Sequence, residues 1–158
     1  MHETRREPDI HCLQLHLMTS FVIMSNSSAL RVLLVEDSSL LAERLAELIH
    51  RLPGIDLIDT VDTEADALDR VANSTPDVLI LDLHLRDGSG FGVLRSLPRV
   101  KGKVRPRVII LTNFGLAEYR REAEALGVEA FLDKSRDYFR LPSLLSGFAK
   151  QRDGERAN

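Results

Sequence analysis

Val78-Leu79-Ile80-Leu81-Asp82 decides the fold. Four uninterrupted apolar residues, two of them β-branched, end on a carboxylate. A strand with one face in water would alternate apolar and polar residues. A continuous apolar run of this length reads as a strand covered on both faces, which is the habit of parallel sheets flanked by helices. The neighbouring sequence carries the same signal. Arg31–Val35 and Val108–Leu111 are compact apolar runs, and Val128–Leu132 is a further strand. Ile55–Val61 is more polar, which predicts an edge strand. The third strand, Val78–Leu81, is expected at the sheet centre.

Between these runs the apolar period changes to that of a helix. Ser38 and Ser39 are suitable N-cap residues. After them Leu41, Leu45, Leu48, Ile49 and Leu52 share one helical face, and Pro53-Gly54 stops the helix. Thr63 caps a second helix running through Leu68 and Val71 and ending between Asn73 and Pro76. Asp87–Gly90 reads as a loop before a short helix, Phe91–Leu97. Ala117–Leu126 forms a fourth, closed by Gly127, and Leu141–Lys150 a fifth. Right-handed crossovers make the five strands parallel and place helices on both faces, a doubly wound α/β architecture.

One domain suits a chain of 158 residues. Residues 29–150 form it. Residues 1–28 read as an extension and residues 151–158 as a polar, frayed tail. Ile10–Met24 superficially resembles a signal peptide, but Glu3, Glu7 and Asp9 spoil its basic flank, and His11, Gln14 and His16 interrupt the apolar run. The expectation is that translation starts at Met24, with Met18 as the alternative start, which peptide mapping of the natively expressed protein tests: peptides from 1–21 would refute it. A formal net charge of -3 argues against a dedicated nucleic-acid binder. The absence of a long apolar run argues against membrane insertion. Cys12 is the single cysteine, so no intrachain disulfide forms, which fits a cytoplasmic setting. The stretch 98–107, with Arg99, Lys101, Lys103, Arg105 and Arg107, reads as a solvated basic loop.

Ligands of an open parallel sheet bind outside the carboxyl ends of its strands, where the strand order reverses. Glu36 and Asp37 follow the first strand, Asp82 the third, Thr112 the fourth, and Asp133 and Lys134 the fifth. If the spatial order is 2-1-3-4-5, one of the two common orders of such sheets, Glu36, Asp37 and Asp82 converge. Two carboxylates ~4 Å apart repel by about 4 kcal/mol at an effective dielectric of 20. Three therefore call for a counter-charge. Hard oxygen ligands favour Mg2+, and Lys134 adds a fixed positive charge. An Asp carboxylate in this setting can act as a nucleophile toward phosphorus. Taken singly, each residue has a plainer reading. Glu36-Asp37 suits a helix N-terminus, Asp82 a strand end, Thr112 a strand interior, and Lys134 a solvated surface.

Together, Val35-Glu36-Asp37, Leu81-Asp82-Leu83-His84-Leu85 with Gly88 and Gly90, Leu111-Thr112, and Ala130-Phe131-Leu132-Asp133-Lys134 resemble the receiver domains of two-component response regulators. The resemblance covers about Leu30 to Lys150. It implies a flavodoxin-like sheet of order 2-1-3-4-5 and a phosphoacceptor at Asp82. It implies Mg2+ held by Glu36, Asp37, Asp82 and the His84 backbone carbonyl. Thr112 and Lys134 would contact the phosphoryl group, and Phe131 would be the aromatic that swings inward with Thr112. The output surface would comprise the fourth helix, the fifth strand and the last helix. The partners implied are a sensor histidine kinase or phosphotransfer protein and a downstream protein target, with no effector domain after Lys150. Such a domain is a switch rather than an ordinary enzyme, although it catalyses its own phosphorylation and dephosphorylation.

Some positions depart from the family pattern. Asn113 stands where a small residue is usual, Arg86 where proline is frequent, and Ser135 where many relatives carry a cis proline, so a trans bond is expected. His84 and Phe114 flank the path of an attacking water, which predicts a long-lived phosphoryl state. Three rivals share the topology or chemistry. A haloacid-dehalogenase-type phosphatase wants a second Asp at the position of His84. A flavin binder wants a glycine- and hydroxyl-rich first loop. A phosphorylation-independent interaction module would keep the fold alone.

Overall fold

The computed structural model describes residues 29–97 and 105–156. The expectations for the 1–28 extension and for Arg99, Lys101 and Lys103 fall outside them. The chain runs β1 (Leu30–Val35), α1 (Ser39–His50), β2 (Ile55–Val61), α2 (Glu64–Ser74), β3 (Val78–Leu81), α3 (Gly90–Ser96), β4 (Arg107–Thr112), α4 (Ala117–Ala125), β5 (Ala130–Asp133) and α5 (Leu141–Arg156). A single 3-10 turn, Tyr138–Arg140, precedes α5.

All four strand pairings are parallel, in the order β2-β1-β3-β4-β5. β3 lies at the centre and β2 at an edge, as their contrasting polarity predicts. Successive strand residues face opposite sides, and the core divides accordingly. Val32, Leu34, Ile80, Ile109 and Leu132 pack with Leu45 and Ile49 of α1 and Leu145 and Phe148 of α5. Leu33, Val35, Leu81, Ile110 and Phe131 pack with α2, α3 and α4 through Ala67, Val71, Val93, Leu94 and Ala123. Leu45 and Ile49 are fully buried, each worth roughly 2 kcal/mol of apolar transfer.

Capping at Ser38 and Thr63 follows the sequence, and Ser89 adds a cap the sequence reading placed in a loop. Ser38 accepts from Leu41 N, Thr63 from Asp66 N and Ser89 from Gly92 N. β5 begins at Ala130, two residues later than its apolar run implies, because Gly127 at φ 77 is still turning the chain. The segment after Lys150 corrects the reading of a frayed tail. α5 continues to Arg156, held by an Arg107–Gln151 hydrogen bond of 2.6 Å and by Arg152, which donates to Asp77 and to the Ala29 carbonyl. Nor is Arg107 a loop residue. It opens β4, and its guanidinium lies 4.3 Å from the centroid of Phe148. No helix among the described residues is long and apolar enough to cross a membrane.

Candidate functional site

Strand register assembles the site. Val35 pairs with Leu81, so Glu36 and Asp82 leave the sheet side by side, and Asp82 N donates to Val35 O at 3.0 Å. Thr112 pairs with Asp133, so Lys134 enters one step further on and its N donates to Thr112 O at 2.9 Å. Each side chain is thus fixed by a strand end rather than by a loop, which gives a rigid cluster.

Lys134 Nζ lies 2.8 Å from Glu36 Oε2 and 2.5 Å from Asp82 Oδ2. All three side chains are buried. The remaining Glu36 oxygen accepts from Ser38 N at 3.1 Å, at the cap of α1. Asp37 is exposed at the rim. Carboxylate oxygens of Glu36, Asp37 and Asp82 lie within 4.8 Å of one another. A cleft of 460 Å³ opens on this acidic side, bordered by Asp37, Glu43, Thr60 and Asp62. Burial pushes the Glu36 carboxyl above its ordinary value, although the hydrogen bond and charge of Lys134 pull it down. Burial also acts to lower the Lys134 ammonium, but the hydrogen bonds and charges of Asp82 and Glu36 outweigh it and hold the ammonium above the usual lysine value. Both directions favour the protonated form.

Three carboxylates facing one ammonium leave two formal negative charges unbalanced. Hard oxygen donors in that number and spacing fit a divalent cation of the magnesium type. Thr112 is fully buried, and its hydroxyl accepts from Phe114 N at 3.3 Å. Phe131 is packed inside the core on the α2–α4 face, under the Arg120 guanidinium at 4.6 Å from its centroid. Asn113 is exposed. The rings of His84 and Phe114 stack at 3.9 Å between centroids and 31° between planes. His84 N also donates to Asp82 Oδ1 at 3.3 Å.

Asp133 stands apart from the acidic cluster. Its carboxylate turns into its own loop, where it accepts from Ser135 N at 2.8 Å and from the Ser135 hydroxyl. These bonds, followed by Arg136, hold its carboxyl below the usual range against the opposing effect of burial. No peptide bond among the described residues is cis, so Lys134–Ser135 is trans. The Asp133–Ser135 turn and the Arg120 cover were not foreseen from sequence. An Asp-x-Ser step is a known local turn former, whereas nothing in the periodicity points Arg120 at Phe131.

A family model described as the response regulator receiver domain matches residues 32–146. The chain belongs to that family. The receiver is 28% identical over 126 residues to the sensory transduction protein LytT of Bacillus cereus, covering 80% of this chain and 50% of LytT. The chain therefore spans about half the length of that curated relative. Among solved structures, the signal receiver domain of a Luxo-repressor-type protein of Vibrio parahaemolyticus is 32% identical. Its TM-score is 0.71, covering 82% of this chain and 96% of that one. The Mn2+-bound form of response regulator Rcp1 is 25% identical with TM-score 0.59, covering 74% and 89%. The receiver thus shares the fold of two-component signalling switches, whose partners are histidine kinases or phosphotransfer proteins.

Proposed function

We propose that this receiver accepts a phosphoryl group from a histidine kinase or phosphotransfer protein on Asp82 and thereby switches a protein-binding surface. The observation that carries this reading is the buried Asp82–Lys134–Glu36 cluster beside exposed Asp37. An Asp82 oxygen would attack the phosphorus of the partner's phosphohistidine. A P–O bond forms, the P–N bond breaks, and the imidazole leaves with its electron pair. Glu36, Asp37, Asp82 and the His84 carbonyl would hold Mg2+, as the Mn2+-bound relative supports. When bound, the ion would neutralise charge on the phosphoryl oxygens. Lys134 would move from Asp82 to the phosphoryl group, and the Thr112 hydroxyl would donate a hydrogen bond to a phosphoryl oxygen. The transfer adds about one to two negative charges to a small pocket. That charge can shift the population of a packing in which Thr112 and Phe131 move together. The output face would be α4, β5 and α5, and the setting cytoplasmic.

The test is intact mass after incubation with acetyl phosphate. The wild type gains one phosphoryl group with Mg2+ and none after chelation. No gain with Mg2+ in folded protein overturns the proposal.

Release of the phosphoryl group requires water in line with the P–O bond. The stacked His84 and Phe114 rings stand beside Asp82 and Thr112, so they would screen that approach. Phe114→Ala removes one of the two rings. Its hydrolysis is expected to be about tenfold faster, which is roughly 1.4 kcal/mol of barrier. The decay of the phosphorylated mass measures it, and an unchanged half-life argues against the rings as a lid.

A further inference from the structure

The loop 83–89 links the phosphoacceptor strand to α3, and an unusual carboxylate fastens it. We propose that Glu64 is a positioning residue for the metal-dependent chemistry at Asp82, seated in a slot that exists because residues 88 and 92 are glycine. This inference rests on the Mg2+ reading given above.

The second half of the loop is pinned against the β2–α2 junction, and His84 in its first half bridges to Ser89. Arg86 N donates to Asp62 O at 3.0 Å, and the Arg86 guanidinium grips the Asp62 carboxylate at 2.7 and 3.0 Å. Thr63 pairs with Asp87 as an isolated parallel bridge, with Glu64 N donating to Asp87 O at 3.0 Å. At the far end, Ser89 N donates to Glu64 Oε2 at 2.9 Å. The Glu64 carboxylate is not needed to cap its own helix, because Thr63 and Asp66 close the start of α2 between themselves. It reaches across to the loop instead.

The two glycines give the stronger argument. A β-carbon at either Gly88 or Gly92 would overlap Glu64. Gly88 has a second reason to be glycine, its φ of 76. Gly92 has none. It lies inside α3 without a positive φ, where glycine is the poorest helix former after proline. What a side chain there would meet is the Glu64 carboxylate. What the fastening controls is equally specific. The loop carries His84, whose N contacts Asp82 Oδ1 and whose ring lies against that of Phe114. Slack in this loop would displace the carbonyl proposed as a metal ligand, and partners behind metal ligands typically change affinity by about 10–100-fold.

The experiment is calorimetric titration of the full chain with MgCl2, with a melting curve for each variant. Glu64→Ala and Gly92→Ala are each expected to weaken Mg2+ binding about tenfold. Gly92→Ala should do so although alanine is the better helix former. The double variant should be no weaker than Glu64→Ala alone, because both changes take the same carboxylate out of the slot. Glu64→Gln keeps an acceptor for Ser89 N and should recover to within about threefold of the wild type. Unchanged Mg2+ affinity in folded Glu64→Ala or Gly92→Ala overturns the proposal, as do losses that simply add in the double variant. A wild type that binds no Mg2+ overturns this inference together with the metal reading beneath it. A wild type that binds Mg2+ beside unaffected variants removes this inference alone.

Discussion

Asp82→Asn is expected to show no mass gain with acetyl phosphate and Mg2+, a loss on the order of 10⁴-fold or more in rate. The amide matches the carboxylate in shape but offers no anionic nucleophile. The other two carboxylates are poor substitutes for different reasons. Glu36 is buried, with one oxygen on Ser38 N and the other on Lys134. Asp37 is exposed and has no lysine contact among the described ion pairs. The variant should still fold, since Lys134 keeps Glu36 as its partner and the buried charge stays paired. Mg2+ affinity should fall, because one of three anionic ligands becomes neutral. Intact mass reads the transfer and a melting curve reads the fold. A retained mass gain would move the acceptor to another carboxylate and refute the assignment of Asp82.

Much of this arrangement was legible because it depends on short-range pattern. Val78–Leu81 announces a strand covered on both faces, and the residue after it must emerge at the carboxyl edge. The same logic places Glu36, Thr112 and Lys134 at that edge. Strand order was not legible from the pattern. Right-handed crossovers fix the hand of each connection but not which strands become neighbours, so 2-1-3-4-5 came from resemblance. The continuation of α5 to Arg156 escaped because Gln151–Arg156 contains no apolar residue. Its anchors are partners 44 and 75 residues away, Arg107 and Asp77. Glu64 escaped for a related reason. In sequence it looks like an acid in the first turn of a helix, a favourable place for its charge. Its seat is built by glycines from another element. Asp133 shows the converse limit. Its place at a strand end was visible, but a nearby Ser135 diverts its carboxylate away from the cluster.

Lys134→Met tests whether the ammonium also holds the metal-free site together. Methionine has a similar unbranched length and carries no charge. In its presence Glu36 and Asp82 would face each other buried, with no cation between them. Removing one partner of a buried charged group typically costs about 3–5 kcal/mol. The cost here should depend on pH in a defined way. The Glu36 carboxyl is already raised by burial, and Lys134 opposes that rise, so deleting Lys134 raises it further. A carboxyl raised in the folded state binds more protons folded than unfolded. Stability therefore falls as pH climbs from the unfolded value through the folded one, and then levels. The variant should thus be nearest the wild type below the ordinary glutamate value and furthest from it once the pH has passed the raised folded value. Lys134 gives the opposite boundary. Its raised ammonium stabilises the wild type fully below the ordinary lysine value, and that contribution is lost as pH rises through the folded value. The gap between the two proteins should then close again in strong alkali. Mg2+ should narrow it at neutral pH, because the variant has lost the ammonium that occupies Glu36 and Asp82 and so gains more from a cation that binds the folded state. Urea melts with chelator and with Mg2+, at acid and neutral pH, measure all of these differences. A pH-independent loss that Mg2+ leaves untouched would mean that Lys134 acts through packing rather than charge.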